Sequence, residues 1–254
     1  MTKIIHIKKL LFLALLSSPT LHADIIGGEI SLGVYSHAPS GHASYALPIT
    51  GTASSANLED TLGWSNAQDV VFKAYLEHPF PFIPNVKLGL TKLSHDGTGS
   101  VSLFSWGDIV NFSGNVESAL DLQMTDVTFY YELLDNWVEL DAGLTARYLS
   151  GDIDVNTLLN KEHVTFSSWV PMVYTKARFN FPTTDVSLQL EANAISYNGA
   201  TFYDYELSAR YTFAMGLGLE AGYKTFHIDS DDLTTGLESN MDFSGAYAAV
   251  VWDF

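Results

Sequence analysis

The sequence predicts an all-β chain: a transmembrane, antiparallel, up-and-down β-barrel of about ten strands, with long extracellular loops and short periplasmic turns. Strict alternation is the first reason. In VELDAGLTARY, Val138, Leu140, Ala142, Leu144, Ala146 and Tyr148 are apolar, with Glu139, Asp141, Gly143, Thr145 and Arg147 set between them. That period belongs to a strand whose two faces meet different surroundings. The second reason is that the connections alternate between long and short, and the third is that aromatic residues gather at strand ends. A soluble sandwich accounts for the alternation but not for the other two.

Residues 1–23 read as a signal peptide and 24–254 as the barrel. Lys3, Lys8 and Lys9 are basic, LLFLALL is an apolar run far too short to span a bilayer, and Leu21-His22-Ala23 suits cleavage between Ala23 and Asp24. With no cysteine, the chain has neither disulfides, thiol chemistry nor a lipoprotein anchor on an N-terminal Cys. The signal holds three of the twelve Lys and Arg, which leaves nine bases against 29 acids and a formal charge of −20. Nucleic acid would be repelled. The signal is followed by no apolar run long enough for a membrane helix, so a closed barrel is the remaining way to satisfy the backbone in lipid.

Ten segments alternate: Glu29–Tyr35, Asp69–His78, Val86–Leu93, Leu120–Leu133, Val138–Leu149, Val170–Phe181, Val186–Tyr197, Tyr203–Phe213, Leu217–Ile228 and Met241–Phe254. The connections Ser36–Gln68, Ser94–Ala119 and Ser150–Trp169 are long and Asp229–Asn240 is intermediate. PFPFIPN, LDNW, PTTD and AMG are short, and NGAT is a short exception on the long side. Both termini then lie at the periplasmic side. Trp137, Phe179, Phe181, Tyr211, Phe213, Trp252 and Phe254 mark the periplasmic ends, and Tyr148, Trp169, Tyr197 and Tyr203 the extracellular ends. The final strand ends on Trp252 and Phe254, which look like the C-terminal signal read by the barrel-assembly machinery.

With the apolar parity outward, the inward parity carries a charge network. It comprises Lys73, Glu77, Lys87, Asp126, Glu132, Glu139, Asp141, Arg147, Lys176, Arg178, Glu191, Glu206, Arg210, Glu220 and Lys224, interleaved with Tyr75, Thr128, Tyr130, Tyr174, Gln189, Asn193 and Asp204. Seven of the nine bases fall on this side; Lys92 and Lys161 do not. Charges on the lipid face cost about 2–4 kcal/mol at the midplane, so a barrel sorts them this way. Glu77 is expected to pair with Lys73 or Lys87. The network reads either as ion pairs filling a narrow lumen or as a charged conduit.

Catalytic candidates are His95-Asp96 and His227 with Asp229, Asp231 and Asp232. A protease resembling the omptin family needs paired aspartates facing an Asp–His pair, and the sequence does not place both, so no catalytic residue is assigned. DSDD lacks the glycine turn and distal Glu of an EF-hand loop, and neither a metal nor a cofactor is expected. Asp96, Asp108, Glu117, Asp152, Asp154, Glu162, Asp229, Asp231, Asp232 and Glu238 make the extracellular segments acidic. They either share divalent cations with lipopolysaccharide phosphates or serve solubility.

DIIGGEISLGVYSHAPSG (with Gly27-Gly28), LEHPFPFIPNVKL, YYELLDNWVELDAGLTARYL and the terminal WDF together resemble an uncharacterised family of Gram-negative outer-membrane β-barrels named for its N-terminal Gly-Gly. The resemblance covers the mature chain and implies the barrel fold and outer-membrane location, but no activity. The Gly pair itself reads as a flexible lead-in to the first strand. The expected protein is a monomer among outer-membrane lipids and lipopolysaccharide, of structural or surface-interaction type with a charged, largely filled lumen. The alternatives are a narrow channel for ions or small solutes, and a surface-exposed enzyme.

Overall fold

The computed structural model describes residues 27–48, 51 and 53–254. The expected signal peptide and its Ala23–Asp24 junction lie outside them. Eleven strands follow in order: β1 (Gly27–Tyr45), β2 (Ala56–Asn57), β3 (Ala67–Glu77), β4 (Asn85–Trp106), β5 (Ile109–Leu134), β6 (Val138–Asn156), β7 (Lys161–Asn180), β8 (Val186–Tyr197), β9 (Ala200–Thr212), β10 (Leu217–Thr234) and β11 (Leu237–Asp253). Neighbours pair in chain order, and β11 returns to β1 from Glu29↔Asp253 to Tyr45↔Leu237. The wall is therefore a closed antiparallel ring of ten strands, and the short β2 adds only a pairing onto β1. Closure leaves no sheet edge, as lipid demands.

The glycine pair is part of the seam rather than a flexible lead-in. Gly27 and Gly28 pair with Glu77 and Leu76 of β3, and Gly28 exchanges two 2.9 Å backbone hydrogen bonds with Phe254. A Cβ on Gly28 would come within 2.6 Å of the Phe254 ring, so glycine lets the terminal aromatic lie flat across the joint.

The long connections expected from the sequence are mostly strand. β4 and β5 run on past Ser94 and Ala119 to a tight turn at Gly107, and β6 and β7 continue to Asn156 and Lys161. β10 and β11 reach Thr234 and Leu237. These stretches do not show the outward-apolar alternation because its phase changes along each strand. In β5, Val127, Phe129 and Tyr131 point outward around buried Thr128 and Tyr130, whereas further up Leu120, Leu122 and Met124 are buried and Asp121 and Gln123 are exposed. β6 changes likewise between outward Leu144 and buried Ile153, and β10 between outward Leu219 and buried Phe226. Below the change the strands face lipid outside; above it they face water outside and an apolar core inside. From Thr125 to the Gly107 turn, a rise of about 3.4 Å per residue at a tilt near 40° lifts the wall about 45 Å above the apolar band.

Aromatic pairs rim the band: Trp137–Phe179 at 5.3 Å, Tyr211–Phe213 at 5.0 Å and Trp252–Phe254 at 5.0 Å below, and Tyr148–Trp169 at 5.1 Å above. Band and girdles give a direct test. Leu144 is 66% exposed at mid-band, so Leu144→Arg is expected to cost about 2–4 kcal/mol of folding free energy in lipid vesicles. Ser150→Arg, on the same face of β6 but above the band, should cost less than about 1 kcal/mol in the same refolding titration.

Candidate functional site: the barrel interior

Of the fifteen charges expected on the inward parity, fourteen are buried or half-buried and Glu132, at the periplasmic rim, is exposed; the geometry links most of them across the barrel. At the periplasmic end Arg210 on β9 grips Glu29 of β1 at 2.7 Å and Glu220 of β10 at 2.8 Å, and reaches Asp253 of β11 at 3.4 Å. Arg178 on β7 meets the same Glu29 at 3.0 Å and Glu139 at 3.3 Å. One level up, Lys73 of β3 donates to Glu206 of β9, and Lys87 of β4 to Glu191 of β8. Lys176 holds Asp141 at 2.6 Å, and Lys224 lies 3.5 Å from Glu206. The Tyr75 hydroxyl donates to Glu191 at 2.6 Å and the Tyr247 hydroxyl to Glu220 at 2.7 Å.

At the top of the charged layer Arg147 of β6 makes a two-pronged contact with Asp126 of β5, 2.7 Å on each prong, and also meets Asp204 of β9 at 2.6 Å. Thr145 and Asn193 join beneath it at 2.7 Å, and Asn193 donates to Asp204 at 3.2 Å. The guanidinium lies 5.7 Å from the Phe226 ring, so it caps the charges and floors the apolar layer above.

Two expectations change here. Glu77 pairs with neither Lys73 nor Lys87, which cross to β9 and β8; it accepts from the Tyr130 hydroxyl at 2.9 Å, while Glu132 accepts from Asn85 at 3.0 Å. Glu29 and Asp253, absent from the expected network, are central to its lowest level. The signal was available: both share the inward parity of Ser31 in β1 and Val251 in β11.

Above Arg147 the interior is an apolar core of Leu93, Trp106, Leu120, Leu122, Ile153, Phe166, Phe226, Ile228 and Phe243. The connection from β1 to β3 plugs it with Leu58, Leu62 and Trp64, each at most 3% exposed. Its backbone presses on β4 where a Cβ on Gly97 would sit 2.2 Å from the Gly63 oxygen and one on Gly99 1.7 Å from the Thr61 oxygen. This explains the glycines of HDGTGS. Ser118 ties it further, accepting from the Trp64 indole at 2.9 Å and donating to the Leu62 carbonyl at 2.9 Å. The β4–β5 turn leans over the mouth, with the Gly107 amide on the Tyr45 carbonyl at 2.9 Å and the Asp108 amide on Glu162 at 3.1 Å.

The histidine candidates are dispersed. His95 is buried against His37, and Asp96 projects outward. His227 lies on the outer wall, where its contacts are Asp242 at 2.8 Å and the ring of Tyr203, stacked at 4.6 Å, rather than the acids of the DSDD stretch. Asp152, Asp154 and His163 form a group with metal-ligand spacing among the described residues, exposed or half-exposed on the outer faces of β6 and β7, with His163 already 2.9 Å from Asp154. Trp252 and Phe254 face outward at the seam.

No protein-family model matches the sequence, and no curated protein is similar to it. Solved structures do share its fold. The outer membrane protease OmpT from Escherichia coli superposes with a TM-score of 0.54 at 11% identity, covering 94% of this chain and 99% of that one. The translocator domain of autotransporter NalP from Neisseria meningitidis gives 0.46 at 11% identity over 98% and 94%. Ail, the attachment invasion locus protein of Yersinia pestis, gives 0.37 at 10% identity over 89% and 99%. At such identities the likeness concerns fold alone. The fold shared with OmpT, together with the lipid-facing band and its girdles, identifies a β-barrel of the Gram-negative outer membrane.

Removing one member of a buried ion cluster strands the others. Arg147→Met is expected to cost about 3–5 kcal/mol by leaving Asp126 and Asp204 without a cation. Adding Asp126→Asn and Asp204→Asn should recover most of that loss, read from urea midpoints of the lipid-inserted barrel.

Proposed function

We propose that the chain is a non-enzymatic outer-membrane barrel of structural or surface-interaction type, with a charged, largely filled lumen and the tall extracellular wall as its working surface. The observation that carries this reading is that the interior is crossed at every level. Charge pairs join β1 to β7 and β9, β3 to β9, and β4 to β8, and the plug closes the apolar layer above. Such a lumen gives a wall its rigidity and leaves the exposed rim to meet partners. The rim is suited to contact: Leu158 and Leu159, 95% and 86% exposed, form the tip between β6 and β7, and Leu103 and Val110 flank the tip between β4 and β5.

The resemblance to the Gly-Gly barrel family fits this reading, which assigns Trp252 and Phe254 to recognition by the assembly machinery. The barrel then stands as a monomer in lipid and lipopolysaccharide. Acids on the outer wall above the band, such as Asp96, Asp121 and Asp152, lie where lipopolysaccharide phosphates would bring divalent cations.

A narrow channel is the second reading, and the periplasmic mouth favours it. A vestibule of about 620 Å³ opens there between Glu29, Glu77, Glu132, Glu139, Asp141 and Asp253, with Lys176 and Arg178 as its bases. Conductance in a planar bilayer at neutral pH separates the two. The filled-barrel reading expects a folded, heat-modifiable protein that stays electrically silent. Discrete, reproducible steps with cation preference would replace it with the channel.

A further inference from the structure

Under the plug lies a pair of histidines that neither the ion network nor the wall requires. His37 of β1 and His95 of β4 are 1% and 3% exposed, and His37 Nδ1 is 3.0 Å from His95 Nε2. They sit above the apolar band, since their outward neighbours are Ser36, Ser94 and Asp96. His95 Nδ1 is 2.9 Å from the carbonyl of Ser65, the residue that follows Trp64 in the plug. His95 is sandwiched between the rings of Trp64 at 5.9 Å and Phe243 at 5.3 Å, and Tyr35 covers His37 at 4.8 Å. On the far side, His37 Nε2 is 3.2 Å from Asp69 of β3, which also accepts from the Ser94 amide at 2.7 Å.

The partners fix the protons. A carbonyl only accepts, so His95 Nδ1 carries a hydrogen for Ser65. A neutral His95 therefore offers Nε2 as an acceptor, and His37 Nδ1 donates to it. With Nδ1 donating to His95, His37 Nε2 carries no hydrogen toward Asp69; a first added proton goes there, so that Nε2 donates to the carboxylate that balances the charge. A second has to go to His95 Nε2, where it removes the acceptor and sets two cations about one hydrogen-bond length apart among aromatic rings.

We propose that the His37–His95 pair is an acid-release latch on the extracellular plug: residues 56–65 stay docked while His95 is neutral and come away when it takes up a proton from solvent. The acidic groups acting on the pair are Asp69 from β3 and Asp96 beside His95 on β4; Tyr35, Trp64 and Phe243 contribute rings without charge. Burial pushes His95 down to about 4, opposed by the Ser65 hydrogen bond, and a charge on His37 pushes it the same way as burial. Burial lowers His37 too, against Asp69. The docked state thus resists protonation that the released state accepts near 6.5. Its advantage is complete above that value and declines as the pH falls toward 4. Release would uncover the apolar upper interior at the cell surface while leaving the ion-paired layer below in place.

Amide hydrogen exchange of the lipid-inserted barrel tests this, expressed as protection factors so that the intrinsic pH dependence divides out. Protection across residues 57–64 is expected to fall on the order of 50-fold between pH 7.5 and pH 4.5. The β6 amides of residues 140–148 should hold theirs. His95→Phe keeps the ring between Trp64 and Phe243 but cannot titrate, so its plug protection should be flat over that range. Should that variant not refold, His95→Gln asks the same question and retains an N–H for Ser65. Equal plug protection at both pH values in the natural sequence would overturn the latch. So would a loss shared by β6, or a fall of the same size in the non-titrating variant.

Discussion

The structure depends on what lies outside the wall. A strand in lipid must turn its apolar side chains outward and find partners within for whatever polar groups it carries. The same strand in water must do the reverse. The longer wall strands obey both rules in succession, and Leu144 facing lipid and Ile153 facing the core occupy one strand. Where the rule inverts, the interior changes from charge to hydrocarbon, and Arg147 stands at the junction between its carboxylates and the Phe226 ring.

This inversion makes the two layers interdependent. Buried charges are costly unless each is held by several partners, and the ring supplies them by bringing non-neighbouring strands face to face. Lys73 and Glu206 are 133 residues apart in sequence and meet only because the barrel closes. Closure in turn relies on the seam, where Gly28 makes room for the ring of Phe254. The apolar layer adds an ordinary hydrophobic core above the membrane, completed by a connection that would otherwise be a free loop.

Much of this was legible in the sequence. The alternation around Val138–Tyr148 and the short turns point to ten strands and their order, and parity points to the inward charges, of which only Glu132 at the periplasmic rim is exposed. Partners were not legible, because they are set by barrel stagger rather than spacing: Glu77 is next in parity to Lys73's neighbour Tyr75, yet its contact is Tyr130. The strand extensions were missed for a physical reason. A reading that holds the apolar face outward throughout loses the pattern at Asp152-Ile153-Asp154-Val155, where the apolar residues have moved to the inner parity. Glycines 97 and 99 resemble loop residues until the plug that presses on them is known. His37 and His95 lay in segments taken as loops, where histidines beside acids read as solvated surface.

The inward charges are locked to one another rather than bathed in water. Nitrogen-detected solid-state NMR of the barrel in lipid reads this at Arg147, Arg178 and Arg210. Locked side chains give slow exchange of the guanidinium protons with water and through-space transfer from Arg147 to the carboxyl carbons of Asp126 and Asp204, and from Arg210 to that of Glu29. Guanidinium protons that exchange rapidly with water and show no carboxyl contact would contradict it, and would make the lumen a hydrated passage.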